Sequence, residues 1–179
     1  MAIVIRPYRE SDRATVVELT VSAFQGVSID HCLDDRLGAV AGRDWRWRKG
    51  RDIEEDIDMQ GSELAVAEDD ETGEAVGYVT MYFDPESRIG WIHNLAVDAG
   101  LRGQGLGRKL IEHALDRFRA GGMTVAKIET LEQNEIGRHL YPALGFKEVA
   151  RQIHYAMSLV GPTPESPGKG PEITPHGKP

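Results

Sequence analysis

Between Leu95 and Gly107 the chain reads LAVDAGLRGQGLG, with glycines at 100, 103, 105 and 107 directly after an apolar run. Glycine this dense costs backbone entropy, so something must need the bare main chain. A glycine-rich turn from a strand into a helix leaves several N–H groups pointing outward. They add to the positive end of the helix dipole, and the chemistry they suit is the holding of a phosphate group. Two phosphate loops fail position by position. A P-loop begun at Gly100 finds its second glycine at Gly105 but meets Leu106 where lysine must stand. A dinucleotide turn begun at Gly103 or Gly105 has Arg108 or Leu110 in place of its third glycine. Glu129 does fall about 20 residues on, where that pattern wants an acid.

A third pattern, R/Q-x-x-G-x-G/A, is met by Arg102, Gly105 and Gly107. Upstream stands WIHNLAVD, and downstream Asn134 precedes the Tyr141 of LYPALGF (140–146) by seven residues. On these residues the sequence resembles the GNAT superfamily of N-acetyltransferases, and in motif spacing its ribosomal-protein alanine and peptide N-acetyltransferases. The detailed resemblance covers residues 63–148, with the opening strand and helix consistent and residues 26–61 unmatched. It implies an α/β fold of the acyl-CoA N-acyltransferase kind: a mixed sheet with antiparallel N-terminal strands and a central parallel pair joined by a crossover helix.

The resemblance also implies acetyl-CoA as cofactor. Its pyrophosphate would lie on Arg102, Gly103, Gln104, Gly105, Leu106, Gly107 and Arg108, and its pantetheine along Leu95, Ala96 and Val97. A Cβ at Gly105 or Gly107 would then hold the diphosphate away from the amides. Tyr141 takes the family's general-acid place, a phenol (ordinary pKa about 10) suited to protonating a leaving thiolate. Pro142 follows it directly and disfavours helical geometry at Tyr141, so the helix is expected to end early. Asn134 caps that helix, touches the cofactor, or does both. The base lies between Glu129, five residues before Asn134, and His93, two before Leu95; an imidazole exchanges its proton near neutral pH. The N–H of Val97 is the implied oxyanion donor.

The implied reaction is acetyl transfer to a primary amine by direct attack in a ternary complex, the acceptor being a protein N-terminus or a small amine. A non-catalytic acyl-CoA sensor on the same fold is the alternative. In this family the segment after the first helix lines the acceptor site. Asp30, Asp34 and Asp35 would draw a cationic amine there, and Trp45 or Trp47 would wall the pocket. The Arg-Trp interleaving of RDWRWRKGR superficially suits nucleic acid, but DIEEDID follows and neutralises it. Homodimers are common in the family, and one is an open expectation here.

These residues need elements to position them. Ile3 and Ile5 read as a strand ended by Pro7, and Ser11 or Asp12 as the cap of a helix burying Ala14, Val17, Val21 and Phe24. Helices within 33–41 and 53–59 are expected in the least readable stretch. ELAVAE, AVGYVTMYF and RIGWIHNLAV read as an antiparallel meander. Leu106, Leu110, Ile111, Ala114, Leu115 and Phe118 mark an amphipathic helix stopped by Gly121-Gly122. TVAKIET follows as a strand, parallel to the one before the helix because a crossover joins them. NEIGRHLYPAL reads as a short helix and FKEVARQIHYAMSL as a last strand.

The totals set the bounds. The 179 residues suit one domain, taken as residues 1–160. Residues 161–179 hold six of the nine prolines and read as a flexible tail. Twenty-nine acidic against 21 basic residues give −8, which argues against a nucleic-acid partner. A single cysteine excludes an internal disulfide and a cysteine-rich metal site, and no metal is expected. No apolar run approaches the roughly 20 residues that span a bilayer, so no membrane partner is expected. The opening MAIVIRPYRESD turns charged too early for a signal peptide, which leaves the cytoplasm as the expected setting.

Overall fold

The computed structural model describes residues 2–161. The expected tail lies almost wholly outside them. Five strands make one sheet in chain order: β1 (Ile3–Pro7), β2 (Ser62–Asp69), β3 (Ala75–Asp84), β4 (Ile89–Val97) and β5 (Val125–Ile128). The pairings are antiparallel up to β3–β4 and parallel for β4–β5. The expected mixed sheet is thus observed. The crossover is α4 (Leu106–Ala120), which packs Leu106, Leu110, Ile111, Ala114 and Phe118 onto Ala65, Ala67, Val79, Met81 and Ile92. Gly121 ends α4, as read from sequence.

The opposite face is covered by α1 (Arg13–Ala23) and α3 (Trp45–Asp58), with Val16, Leu19 and Ile53 on Val66, Tyr78 and Ala96. The buried face of α1 is Val16, Leu19 and Thr20, offset from the expected one, in which Ala14 is exposed. Thr20 explains the offset: its hydroxyl satisfies itself on the Val16 carbonyl at 2.7 Å and on the Tyr78 hydroxyl at 2.6 Å, so a polar residue can face inward. Asp12 caps differently from the expectation. It accepts from the Arg9 amide (2.8 Å) and from both Arg6 guanidinium nitrogens (2.7 and 2.9 Å), tying β1 to the start of α1.

Residues 26–61 form α2 (Ile29–Leu37), capped by Ser28, and α3, capped by Asp44. Both are longer than, or displaced from, the expected segments. The inward positions of α3 are Trp45, Lys49, Gly50, Ile53 and Asp56, at helical spacing but half polar, so no apolar period advertises them. After β5 comes α5 (Glu135–Ala143), whose last turn contains Pro142. The helix therefore runs through Tyr141 instead of ending before it. Proline costs only the bond to the Arg138 carbonyl at this end, and Leu144, Gly145 and Phe146 close the helix with amides onto Leu140, Pro142 and Tyr141. The expected last strand is absent among the described residues: FKEVARQIHYAMSL has no regular structure and joins no sheet.

Candidate active site

The site is built around β4. Across from it, Val79 pairs with Leu95 but Met81 pairs with Ile92, so Thr80 alone faces His93 and Asn94. This is a β-bulge, and it breaks the two-residue alternation of side chains. Ile92 and Leu95 both pack toward α4, while His93 and Asn94 both meet α3. The Thr80 hydroxyl secures the bulge by accepting from the Asn94 amide at 2.8 Å.

Pairing of β4 with β5 ends at Ile92 and Ile128, although β4 continues to Val97. β5 itself ends there, and β4 runs on with no strand paired on that side, which leaves a gap. The Asp98 amide donates to the Val76 carbonyl on β3 at 2.9 Å. By the period of an antiparallel ladder, the amides of Leu95 and Val97 point the other way, into the gap beside β5. At the far end of the gap stands the start of α4. Gly103 and Gly105 take φ of +78° and +82°, left-handed values that side chains resist, and Gly105 is the N-cap. The Lys109 amide is bonded to the Gly105 carbonyl at 3.1 Å, while the amides before it lie in the first turn, where helix geometry supplies no acceptor. Gly107 differs. A Cβ there would face inward and make ordinary contacts, 3.6 Å from Leu140 and 3.9 Å from Leu95, so it would not stand between a diphosphate and the outward amides. Arg102 turns its Nε onto the Val97 carbonyl at 3.3 Å, Gln104 reaches the Gly100 carbonyl at 3.3 Å, and Arg108 lies 3.8 Å from Glu112.

Tyr141 lies on α5 with its ring against Gly137, where an added Cβ would be 3.1 Å from the ring and 2.9 Å from the Thr130 hydroxyl. Burial pushes its phenol above the ordinary value, and a hydrogen bond with Thr130 opposes this more weakly. Asn134 caps α5, accepting from the Gly137 amide at 3.2 Å and donating to Thr130 at 2.9 Å. Of the two base candidates, Glu129 is 58% exposed at its side chain and paired with Lys127 at 2.8 Å. His93 is largely enclosed. Its Nδ1 lies 3.2 Å from Asp56, its ring packs edge-on to Trp91 with centroids 4.0 Å apart, and its Nε2 is buried without a hydrogen-bond partner among the described residues.

The acceptor-side residues divide. Asp34 accepts from the Trp45 amide at 2.6 Å and pairs with Arg48, and Trp45 is 5% exposed against His31, so these two join α2 to α3. Asp30 also pairs with Arg48, at 3.0 Å, but borders a surface hollow of about 400 Å³ together with Trp47, Arg51 and Asp52. Trp47 is exposed, with the Arg43 guanidinium 3.9 Å from its ring. Sequence reasoning missed Asp56 and Lys49. The helical spacing of Lys49, Ile53 and Asp56 was their only signal.

The family model described as the acetyltransferase (GNAT) family matches residues 29–146, well over half the chain. The chain belongs to that family. The match begins at Ile29, so α2 and α3 fall within the GNAT domain although no short motif marks them. Among curated GNAT relatives, mycothiol acetyltransferase of Beutenbergia cavernae is 38% identical over 73 residues, 41% of this chain and 25% of that protein. The [ribosomal protein bS18]-alanine N-acetyltransferase of Escherichia coli K12 is 36% identical over 70 residues, 39% of this chain and 47% of that one. The chain thus spans half or less of the length of these relatives. A solved structure of AAC(6')-Iy in complex with the bisubstrate analogue CoA-S-monomethyl-acetylneamine shares the fold, with a TM-score of 0.58 at 18% identity over 88% of this chain and 99% of that one.

Proposed function

We propose that this protein transfers an acetyl group from acetyl-CoA to a primary amine by direct attack in a ternary complex, residues 1–160 forming the catalytic domain. The observation that carries this is the run of β4 from His93 to Val97 past its last pair with β5, with the Leu95 and Val97 amides turned into the gap this leaves and the N-terminus of α4 following. A gap with free strand amides suits the amide-containing pantetheine arm, and the first turn of α4 suits its diphosphate. Residues 102–108 would hold the phosphates, Leu95, Ala96 and Val97 the arm, and Asn134 its thiol end.

In this reading His93 is the base. It and Glu129 each stand one residue past the last β4–β5 pair, but only His93 offers a buried, unengaged nitrogen, whereas Glu129 is committed to Lys127 in solvent. His93 frees the amine's lone pair, the Val97 N–H steadies the oxygen of the attacked carbonyl, and Tyr141 returns a proton to the leaving sulfur. Burial keeps Tyr141 protonated, as an acid must be. Asp30 and Trp47 border the acceptor side. The relatives support amines as the acceptor class, a peptide N-terminus first among them. The setting is cytoplasmic in this reading, and the protein is a homodimer: Val149, Ile153, Tyr155, Met157 and Leu159 alternate along an extended segment, all 73 to 95% exposed, and the outer edge of β5 has no strand beside it among the described residues.

The test is thiol release from acetyl-CoA against a panel of Ala-starting peptides and small primary amines. Amine-dependent release supports the reading. Acetyl-CoA binding without any amine-dependent release would identify a sensor instead.

A further inference from the structure

We propose that Asp56 on α3 is a positioning residue, which holds the His93 imidazole in the one tautomer and orientation that can accept the amine's proton. This deepens the reading of His93 as the base and rests on it. The geometry is specific. Asp56 has no more than 7% of its surface exposed, and its two oxygens are spent separately. Oδ1 lies 3.2 Å from His93 Nδ1, while Oδ2 accepts from the Asn94 amide group at 2.6 Å and from Thr80 at 3.3 Å. A carboxylate accepts only, so the His93 contact is a hydrogen bond only when the proton sits on Nδ1. That leaves the lone pair on Nε2, the buried atom with no partner of its own.

The β4 bulge and the charges of α3 make the arrangement. Without the bulge His93 and Asn94 would face opposite sides of the sheet, and a single carboxylate could not take both. Asn94 in turn accepts from Lys49 at 2.8 Å, so the network runs from a buried ammonium through an amide to the carboxylate. Burial opposes the charge on Asp56, but the His93 and Asn94 bonds and the Lys49 charge outweigh it and hold the carboxyl below its usual range. Of the charged and titratable groups, Asp56 from α3 and Tyr82 from β3 meet His93 directly; Lys49, paired with Asp52, is linked to Asp56 through Asn94, and Lys127 from β5, itself paired with Glu129, sits 3.8 Å over the Trp91 ring that packs on His93.

The step is a plain proton transfer. The N–H bond of the ammonium breaks, its electron pair stays on nitrogen, and the proton joins His93 Nε2. Asp56 stays ionised and faces the resulting imidazolium.

Three measurements on the full chain test this, with the Ala-starting peptide as acceptor. Asp56→Asn keeps the size and the Asn94 and Thr80 contacts, and is expected to lower kcat roughly 10- to 100-fold at an unchanged acetyl-CoA Kd. The double variant with His93→Ala should be no slower than His93→Ala alone. Losses that multiply in the double variant would overturn the role of Asp56 while leaving His93 as base. Full activity of His93→Ala would overturn both. Should Asp56→Asn not fold, nitrogen NMR of the unmodified protein decides: Nδ1–H is expected, and Nε2–H refutes the proposal.

Discussion

At the scale of single residues, the proposed acid Tyr141 and the proposed base His93 would do opposite things, and their surroundings differ accordingly. Tyr141 must keep its proton until the thiolate leaves, and burial raises its pKa. The phenol is therefore protonated across the whole neutral range and loses its proton only above its ordinary value of about 10. The pH profile of kcat should show no basic limb from Tyr141 below about pH 10; a limb near 8 that vanishes in Tyr141→Phe would contradict this. Tyr141 was legible in the sequence because LYPALGF carries it, and so was His93 as one of two candidates. The choice between them was not legible, since it depends on Asp56, a residue 37 positions away whose charge reads as surface. Asp34 and Trp45 show the converse. Their residue types suggest a pocket for a cationic amine, yet their atoms are used in joining α2 to α3.

At the scale of elements, the glycine loop was legible because its requirement is local. Gly105 takes a left-handed φ of +82° as the N-cap of α4. A β-branched side chain there is strained by about 1–3 kcal/mol, and nothing within 4 Å would otherwise collide with it. Gly105→Val should therefore weaken acetyl-CoA at least 10-fold in a calorimetric titration while shifting Tm by only a few degrees. Unchanged affinity would remove the loop from the cofactor site. The amphipathic α4 and the meander were legible for a related reason, as each shows one clean period. Helix α3 was legible only as a helix within 53–59, because Lys49 and Asp56 on its inward face blur its period, and the β4 bulge was hidden because an extra residue leaves no mark on composition. Pro142 misled in the other direction: in the last turn of a helix it costs a single bond, and the chain continues past Tyr141.

At the scale of the molecule, the sheet divides the labour. Its α4 face is a packed apolar layer, and its α3 face carries the buried polar network beside the gap. FKEVARQIHYAMSL was expected as a strand, but among the described residues no strand pairs with it. A second copy would supply one. Sedimentation at micromolar concentration should give twice the 19.8 kDa chain mass, and Ile153→Asp with Tyr155→Asp should return the monomer. A monomeric unmodified protein would exclude this arrangement without touching the active site.

The central claim is that the gap beside β4 holds acetyl-CoA for attack by an amine. Thiol release measured with and without the amine panel, for the unmodified protein and Tyr141→Phe, tests it most directly. Release is expected to depend on the amine and to fall at least 100-fold in Tyr141→Phe at unchanged acetyl-CoA Kd. Bound acetyl-CoA with no amine-dependent release, or equal release from the two proteins, would contradict it.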